Sequence, residues 1–136
     1  MNYNGKIAKY FSVPYVDDRG LLNVITENLP INNFDIKRVF YVKVSKKDVI
    51  RGNHAHYKII EIIFNISGRF EIEYYNNTNS GKIFLKENEG IVIDPLTWVN
   101  IKSLSDDSIY LVLANGEYEE NENIRDKDKF MDLISK

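Results

Sequence analysis

The chain has 136 residues, 43% of them hydrophobic, and its 18 basic and 20 acidic side chains leave a formal net charge of −2 at pH 7. This length suits one domain with a sizeable core, and the charge balance excludes the basic surface typical of nucleic-acid-binding proteins. Cysteine is absent, which excludes disulfides and thiolate metal sites, and no apolar run could cross a membrane; we therefore expect a single cytoplasmic domain over residues 1–136, without nucleic-acid or membrane partners.

The N-terminal part of the chain is predicted to form short strands separated by turns. Residues 6–10 and 13–16 are short candidates, and the turn at residues 17–20 (DDRG) leads into a predicted strand over residues 21–27. A longer strand is predicted over residues 36–44, where alternation places Arg38 and Tyr41 on opposite faces.

The rest of the chain continues this pattern until its last ten residues or so. Strands are predicted over residues 59–66, 69–75, 82–86, 91–93, 99–104 and 109–114. Only residues 125–134 have helical spacing, which places Phe130, Leu133 and Ile134 on one face. The sequence therefore predicts an all-β fold of about eight to ten short strands, a sandwich or small barrel, with a short C-terminal helix.

The only two histidines, His54 and His56, stand two residues apart in the segment RGNHAH. Successive side chains on a strand alternate between its faces, so both imidazoles are predicted to point the same way, with Arg51 at the start of the same strand. An imidazole gives and accepts protons near neutral pH, which predicts an acid–base site. Buried histidines satisfied by backbone groups are the structural alternative.

The spacing around the histidines resembles the first signature of the cupin barrels, small jelly rolls with an internal site: His-x-His, then Glu61 and Gly68. In the second signature Gly90 and Pro95 are present, but Asn100 stands where a histidine is expected. We therefore expect a metal-free site, because two imidazoles are few ligands for a metal. On an unbroken strand the side chain of Glu61 would also face away from the histidines, unless a β-bulge turned it to their face.

Several segments together resemble a narrower family. They are residues 18–22 (DRGLL), 36–41 (IKRVFY), 51–56 (RGNHAH), Pro95 with Trp98, 111–114 (LVLA) and 118–126 (YEENENIRD). They occur in this order in the sugar-nucleotide 3,4-ketoisomerases, which the chain resembles from about residue 5 to residue 132. Two positions depart from the family pattern: Phe40 stands where members often have tyrosine, and Tyr57 where they often have lysine.

This resemblance implies a cupin homodimer that exchanges N-terminal strands, with residues 6–10 and 21–26 as the predicted crossing segments, and that needs neither cofactor nor metal. Its substrate would be dTDP-4-keto-6-deoxy-D-glucose. The 3-keto product would then serve the synthesis of 3-amino deoxysugars for a surface glycan such as lipopolysaccharide, or for an antibiotic.

The chemistry of this reaction suits the histidine strand. Moving a ketone from carbon 4 to carbon 3 requires removal of a proton from carbon 3, an enediol, and return of a proton to carbon 4. His54 and His56 are the predicted proton carriers, and Arg51 is the predicted cation beside the enediolate oxygen.

Substrate binding is predicted for four further residues. These residues are Arg38, Tyr41, Arg19 and Trp98. The diphosphate calls for guanidinium forks, which any of the five arginines, Arg19, Arg38, Arg51, Arg69 and Arg125, could offer, and the thymine calls for an aromatic wall, for which the tyrosines and phenylalanines give many candidates. Each also has a structural alternative: an ion pair for Arg38, a solvated turn for Arg19, and the core or an interface for the two aromatics.

Two other functions stay open. An epimerase acting on related keto-sugar nucleotides would also use a histidine base in a cupin, and a non-catalytic cupin would bind a sugar nucleotide without turnover.

Overall fold

The computed structural model describes residues 7–135 as two five-stranded antiparallel sheets packed face to face, with one short helix at the C-terminal end. The strands of this described part are β1 (Lys9–Phe11), β2 (Tyr15–Asp17), β3 (Gly20–Leu22), β4 (Arg38–Val44), β5 (Ile50–His56), β6 (Glu61–Ser67), β7 (Phe70–Tyr75), β8 (Ser80–Leu85), β9 (Glu89–Ile93), β10 (Trp98–Ser103), β11 (Ser108–Ala114) and β12 (Asn123–Ile124), followed by helix α1 (Lys127–Ile134). The all-β class and the C-terminal helix predicted from the sequence are confirmed.

The strand order is that of a jelly roll. One sheet runs β1-β9-β6-β11-β4 and the other β12-β5-β10-β7-β8, while β2 and β3 form a separate hairpin. Side chains that alternate inward from both sheets, such as Ile63, Ile72, Ile101 and Val112, meet in the main core. The histidine strand β5 lies in the second sheet, opposite the sheet that carries β4, β6 and β11.

The outer face of the first sheet is also covered, which explains why β6 is buried on both faces over residues 61–65. Ile62 and Phe64 point outward and pack under Ile25, Leu29 and Phe34. This packing requires a compact covering segment. The strand predicted over residues 21–27 is therefore only partly correct: β3 ends at Leu22, and residues 25–28 form a 3₁₀ helix.

A β-bulge lies in the middle of β5, next to the histidines. Val99 of β10 pairs with His54 and Asn100 pairs with Gly52, so Asn53 has no partner opposite it. Gly52 and Asn53 both have positive φ, 96° and 57°. A Cβ at Gly52 would lie 2.7 Å from the carbonyl oxygen of Val99, so only glycine fits here without a shift of the neighbouring strand.

Helix α1 begins at a capping aspartate. Asp126 accepts hydrogen bonds from the backbone N–H groups of Asp128 and Lys129, at 2.9 and 3.3 Å. The predicted apolar face is confirmed: Phe130 is fully buried beside Trp98, with a ring-centroid distance of 5.4 Å, and Leu133 and Ile134 pack around the same cluster. The helix closes the surface behind β5 and β10.

The N-terminal strands differ in part from the prediction. β1 begins at Lys9, whereas Lys6, the first residue of the strand predicted over residues 6–10, lies outside the described residues. The turn predicted over residues 17–20 is confirmed by the hairpin β2–β3. Between residues 7 and 135, no helix is long and apolar enough to span a membrane.

Candidate active site

The two histidines lie side by side inside the barrel, as the strand alternation predicts. The ring centroids of His54 and His56 are 4.9 Å apart and the rings meet edge to face, at 85°. Both line a cavity of about 200 Å³ between the two sheets, together with Arg38, Arg51 and Tyr110. The side chains predicted for catalysis therefore converge on one cavity.

The bulge in β5 brings Arg51 to this cavity. His54 follows Arg51 by three positions, an odd offset that would place their side chains on opposite faces of a regular strand. The unpaired Asn53 changes the parity, so that both side chains line the same space. Arg51 also lies near the buried hydroxyl of Tyr110: burial raises the pKa of Tyr110, and the guanidinium partly offsets that rise.

Glu61 is a direct neighbour of His56, contrary to the expectation that it would face away. The chain leaves β5 after His56 and enters the opposite sheet at Glu61, so the two residues belong to different strands and strand parity does not apply. Nε2 of His56 lies 3.3 Å from Oε1 of Glu61, and both side chains are about nine-tenths buried. Burial alone would raise the pKa of Glu61, but the contact with His56 and the nearby His54 and Arg38 lower it overall.

His54 has a different environment from its neighbour. Burial lowers the pKa of His54 and outweighs the opposing hydrogen bond with the Gly52 backbone; the effects of His56, Glu61 and Arg125 are smaller still. The imidazole is therefore neutral near pH 7 and can accept a proton. A neutral base beside a histidine–carboxylate pair is an arrangement suited to proton transfer.

The outer end of the cavity is formed by arginines and aromatic rings. The guanidinium carbon of Arg38 lies 4.5 Å from the ring centroid of Phe40 and 4.9 Å from that of Tyr118. Position 40, where family members often have tyrosine, therefore faces the cavity, and this chain lacks a hydroxyl there. Tyr57, the other departure, lies after β5 and packs near Trp98 and helix α1.

A segment between β11 and α1 supplies Tyr118 and Asn123, which the sequence reasoning missed, and Arg125, which it named only as one of five arginines. Tyr118, Asn123 and Arg125 all line the cavity. Arg125 donates two hydrogen bonds to Glu120, at 2.7 and 3.2 Å, and the hydroxyl of Tyr118 also donates to Glu120. The sequence does contain an indication of these residues, because the segment YEENENIRD is one of those in which the chain resembles the 3,4-ketoisomerases.

Three predicted binding residues lie outside the cavity of their own chain. Tyr41 points out from the edge strand β4 and is 71% exposed. Arg19 sits at the tip of the β2–β3 hairpin, where its guanidinium bonds Asp17 at 2.7 Å. Trp98 is buried against Phe130 of the C-terminal helix, so it supports the fold on the far side of the histidine sheet.

The trio of half-buried His54 with buried His56 and Glu61 could also hold a metal ion. One ligand atom from each lies within 4.8 Å of the others, and two imidazoles with one carboxylate form a known ligand set. Asn100, at the position where a cupin would supply a third histidine, pairs with Gly52 across the bulge, and its amide nitrogen lies 3.4 Å from Glu73.

Comparisons with known proteins agree on one family. The family model described as "FdtA: WxcM-like, C-terminal" matches residues 5–135. TDP-4-oxo-6-deoxy-alpha-D-glucose-3,4-oxoisomerase from Aneurinibacillus thermoaerophilus is 33% identical over 122 residues, which cover 89% of this chain and 87% of that protein.

Solved structures give the same result. A 3,4-ketoisomerase from Helicobacter canadensis is 31% identical, with a TM-score of 0.84 over 96% of this chain and 98% of that one. The sugar 3,4-ketoisomerase QdtA from Thermoanaerobacterium thermosaccharolyticum, solved with TDP, is 30% identical, with a TM-score of 0.83 over 99% and 97% of the two chains. An epimerase from Mycobacterium tuberculosis, at 16% identity and a TM-score of 0.72 over 86% of this chain and 66% of that one, shares the fold.

Proposed function

Because the chain belongs to the sugar-nucleotide 3,4-ketoisomerase family, we propose that it converts TDP-4-keto-6-deoxyglucose into its 3-keto isomer. The observation that carries this proposal is the convergence of His54, His56 and Arg51 on one cavity. A variant of QdtA has been solved with TDP-4-keto-6-deoxyglucose, and the Aneurinibacillus relative is named for the same substrate.

The proposed mechanism uses the difference between the two histidines. Neutral His54 removes the proton from carbon 3, and the electrons of the C–H bond form the enediolate as the carbon 4 carbonyl becomes an oxyanion. Arg51 and the His56–Glu61 pair stabilise that negative charge. A proton then passes from the carbon 3 hydroxyl to the carbon 4 oxyanion. The protonated His54, after exchange with solvent, returns a proton to carbon 4 as the ketone forms at carbon 3, so atoms and charge balance without an external oxidant.

Incubation with TDP-4-keto-6-deoxyglucose in deuterated water tests the proposal against its alternatives. The isomerase would yield a 3-keto sugar with deuterium at carbon 4. An epimerase would invert a centre and keep the 4-ketone, and a non-catalytic binder would change nothing. The structural likeness to epimerases lies below 25% identity and concerns the fold alone, so it does not favour the epimerase.

We propose that the reaction needs no metal and no other cofactor, since the protein groups already supply a base and cationic donors. Activity is expected to persist after exhaustive chelation, measured by product formation with metal content followed by atomic spectroscopy. Stoichiometric zinc or iron, with activity restored only by that metal, would show instead that the His54–His56–Glu61 trio is a metal site.

We further propose a homodimer in which the β2–β3 hairpin crosses to the partner subunit. All six residues of the two hairpin strands are exposed in the single chain, including Val16 at 72% and Leu22 at 59%. The edge strand β4 presents Val39 and Tyr41 outward, which gives an added strand both hydrogen-bonding groups and apolar contacts.

Within this dimer, the predicted substrate contact of Arg19 requires that the hairpin tip reach the cavity of the partner subunit, because the cavity of its own chain does not include Arg19. β1, part of the other predicted crossing segment, pairs with β9 of the same chain. The predicted roles of Tyr41 and Trp98 in substrate binding, and the cytoplasmic location, stay predictions.

A further inference from the structure

One step of the proposed reaction still lacks a side chain that performs it. After His54 has removed the proton from carbon 3, the proton of the carbon 3 hydroxyl has to reach the oxyanion on carbon 4 before the ketone forms at carbon 3. His54 is protonated at that moment, so it cannot accept this second proton. A hydroxyl group both donates and accepts hydrogen bonds, which suits it to carry a proton between two neighbouring oxygens.

Two side chains in the described lining of the cavity carry a hydroxyl, Tyr110 and Tyr118. The hydroxyl of Tyr118 donates to the carboxylate of Glu120, and Tyr118 is 55% exposed. Position 40 also lines the cavity, but its side chain is that of phenylalanine. Tyr110 is only 4% exposed, so it is the tyrosine that can reach a substrate shielded from water.

Tyr110 lies at the closed end of the cavity. On β11 the side chains of Tyr110 and Ala114 point to the same face, and their four-residue offset corresponds to roughly 13 Å along the strand. Ala114 pairs with Arg38, whose guanidinium lies 4.9 Å from the ring centroid of the exposed Tyr118. The other end is therefore formed by Tyr110, whose ring packs edge to face on buried Phe70 at a centroid distance of 5.2 Å.

This end of the cavity is where the reacting oxygens of the proposed substrate would lie. The cavity measures about 200 Å³, whereas pockets that enclose a drug-sized ligand measure roughly 300 to 1,000 Å³, so a hexose fits inside and the nucleotide stays outside. The nucleotide is attached at carbon 1 of the sugar, and carbon 4 is the ring atom opposite carbon 1. The carbon 4 oxygen, with carbon 3 beside it, therefore points towards Tyr110.

Arg51 prepares the hydroxyl of Tyr110 for this role. Its guanidinium lies within hydrogen-bonding reach of that hydroxyl. A guanidinium has only donors, so the phenol oxygen accepts this bond and the phenol proton stays available to the substrate. Burial raises the pKa of Tyr110 and Arg51 partly offsets the rise, so the phenol is protonated at neutral pH, and a phenolate formed there would stand beside a fixed positive charge.

We propose that Tyr110 is a catalytic residue that relays the hydroxyl proton between the two oxygens of the enediolate. The phenol proton passes to the carbon 4 oxyanion, and the phenolate then takes the proton of the carbon 3 hydroxyl, which leaves the negative charge on the carbon 3 oxygen. The phenol O–H bond breaks and forms again, so atoms and charge balance and no oxidant is consumed. This inference rests on the proposed function for the identity of the reaction.

Tyr110→Phe, assayed with TDP-4-keto-6-deoxyglucose in deuterated water, tests the relay. The variant removes the hydroxyl and keeps the ring that packs on Phe70. Its kcat for isomerisation is expected to fall roughly 100-fold, the usual contribution of an acid–base group, while TDP affinity measured by calorimetry stays within about twofold. Proton NMR of the recovered substrate should still show deuterium entering at carbon 3, because His54 acts before the relay. The ratio of exchange to isomerisation should therefore rise, whereas His54→Asn should lose both.

Tyr10→Phe is the matched control. Tyr10 is 6% exposed, lies outside the cavity lining, and its hydroxyl has no hydrogen-bond partner among the described residues, so this variant should isomerise and exchange like the unmodified protein. Unchanged isomerisation by Tyr110→Phe would overturn the relay. An equal fall in exchange and isomerisation would also overturn it, because Tyr110 would then only position groups for the first step. If the unmodified protein gave neither exchange nor 3-keto product, the proposed function itself would fail, so the two failures are distinguishable.

Discussion

At the scale of single residues, the two histidines are chemically different although the sequence makes them look equivalent. Glu61 contacts His56, whereas the pKa of His54 is lowered mainly by burial and to a small extent by the charge of Arg125. In the proposed mechanism, the base that is neutral at the working pH moves the proton, and the second imidazole, beside a carboxylate, helps to stabilise the enediolate. This division leads to two predictions.

The first prediction concerns His54 as the proton carrier. His54→Asn is expected to lower kcat by roughly 100-fold or more, because a general base typically contributes that much, while TDP affinity stays within about twofold. His56→Asn should reduce kcat less if His56 mainly stabilises the enediolate. Steady-state kinetics with calorimetry of TDP measures both effects, and a fully active His54→Asn protein would contradict the assignment.

The second prediction concerns pH. The pKa of His54 is lowered, so the neutral base persists below the ordinary imidazole value of about 6.5, and activity should fall only as pH drops through the lowered value. The charged groups that act on His54 are His56, Glu61 and Arg125, and Arg38 and Arg51 line the same cavity. A profile of kcat/KM between about pH 5 and 8 measures the acidic limb. An apparent pKa above 6.5 on that limb would oppose this account.

At the scale of elements, what could be predicted from the sequence depended on whether a strand was regular. The common face of His54 and His56 follows from local alternation, and the apolar face of α1 from helical spacing. The direction of the Arg51 and Glu61 side chains could not be predicted from such local spacing. Their orientation depends on the bulge opposite Val99 and on the end of β5 at His56, where the next residues bond Glu122, some 60 positions away in the chain. Sequence spacing alone does not encode such long-range partners.

The bulge itself gives the third prediction. Gly52→Ala is expected to destabilise the protein by more than about 2 kcal/mol, because a positive φ is costly for alanine and the new Cβ would meet the carbonyl oxygen of Val99. Gly20→Ala is the matched control: Gly20 also has a positive φ, 133°, but no atom lies within 4 Å of its Cβ position. Urea unfolding of both variants compares the costs. Equal losses of unfolding free energy would show that the contact with β10 is unimportant.

At the scale of the whole molecule, several apolar side chains are exposed that nothing in the single chain covers. The hairpin strands β2 and β3 bury none of their residues, and the exposed residues Val39 and Tyr41 lie on the edge strand β4. Apolar side chains this exposed are typical of a surface that a partner covers. A crossed hairpin would cover both regions at once and would link the folding of the two subunits.

The fourth prediction tests this exchange. In an isolated chain Val16 is 72% exposed, so Val16→Asp should change stability by no more than about 0.5 kcal/mol. In the exchanged dimer the same carboxylate would be buried against the partner without a counter-charge, which costs several kcal/mol and should dissociate the subunits.

Phe84→Asp is the matched control, because Phe84 is 54% exposed on β8 at the edge of the other sheet. Sedimentation velocity at micromolar concentration should show a dimer for the unmodified protein and for Phe84→Asp, and a monomer or aggregate for Val16→Asp. A dimeric Val16→Asp protein, or a stable and active monomer of the unmodified chain, would rule out hairpin exchange.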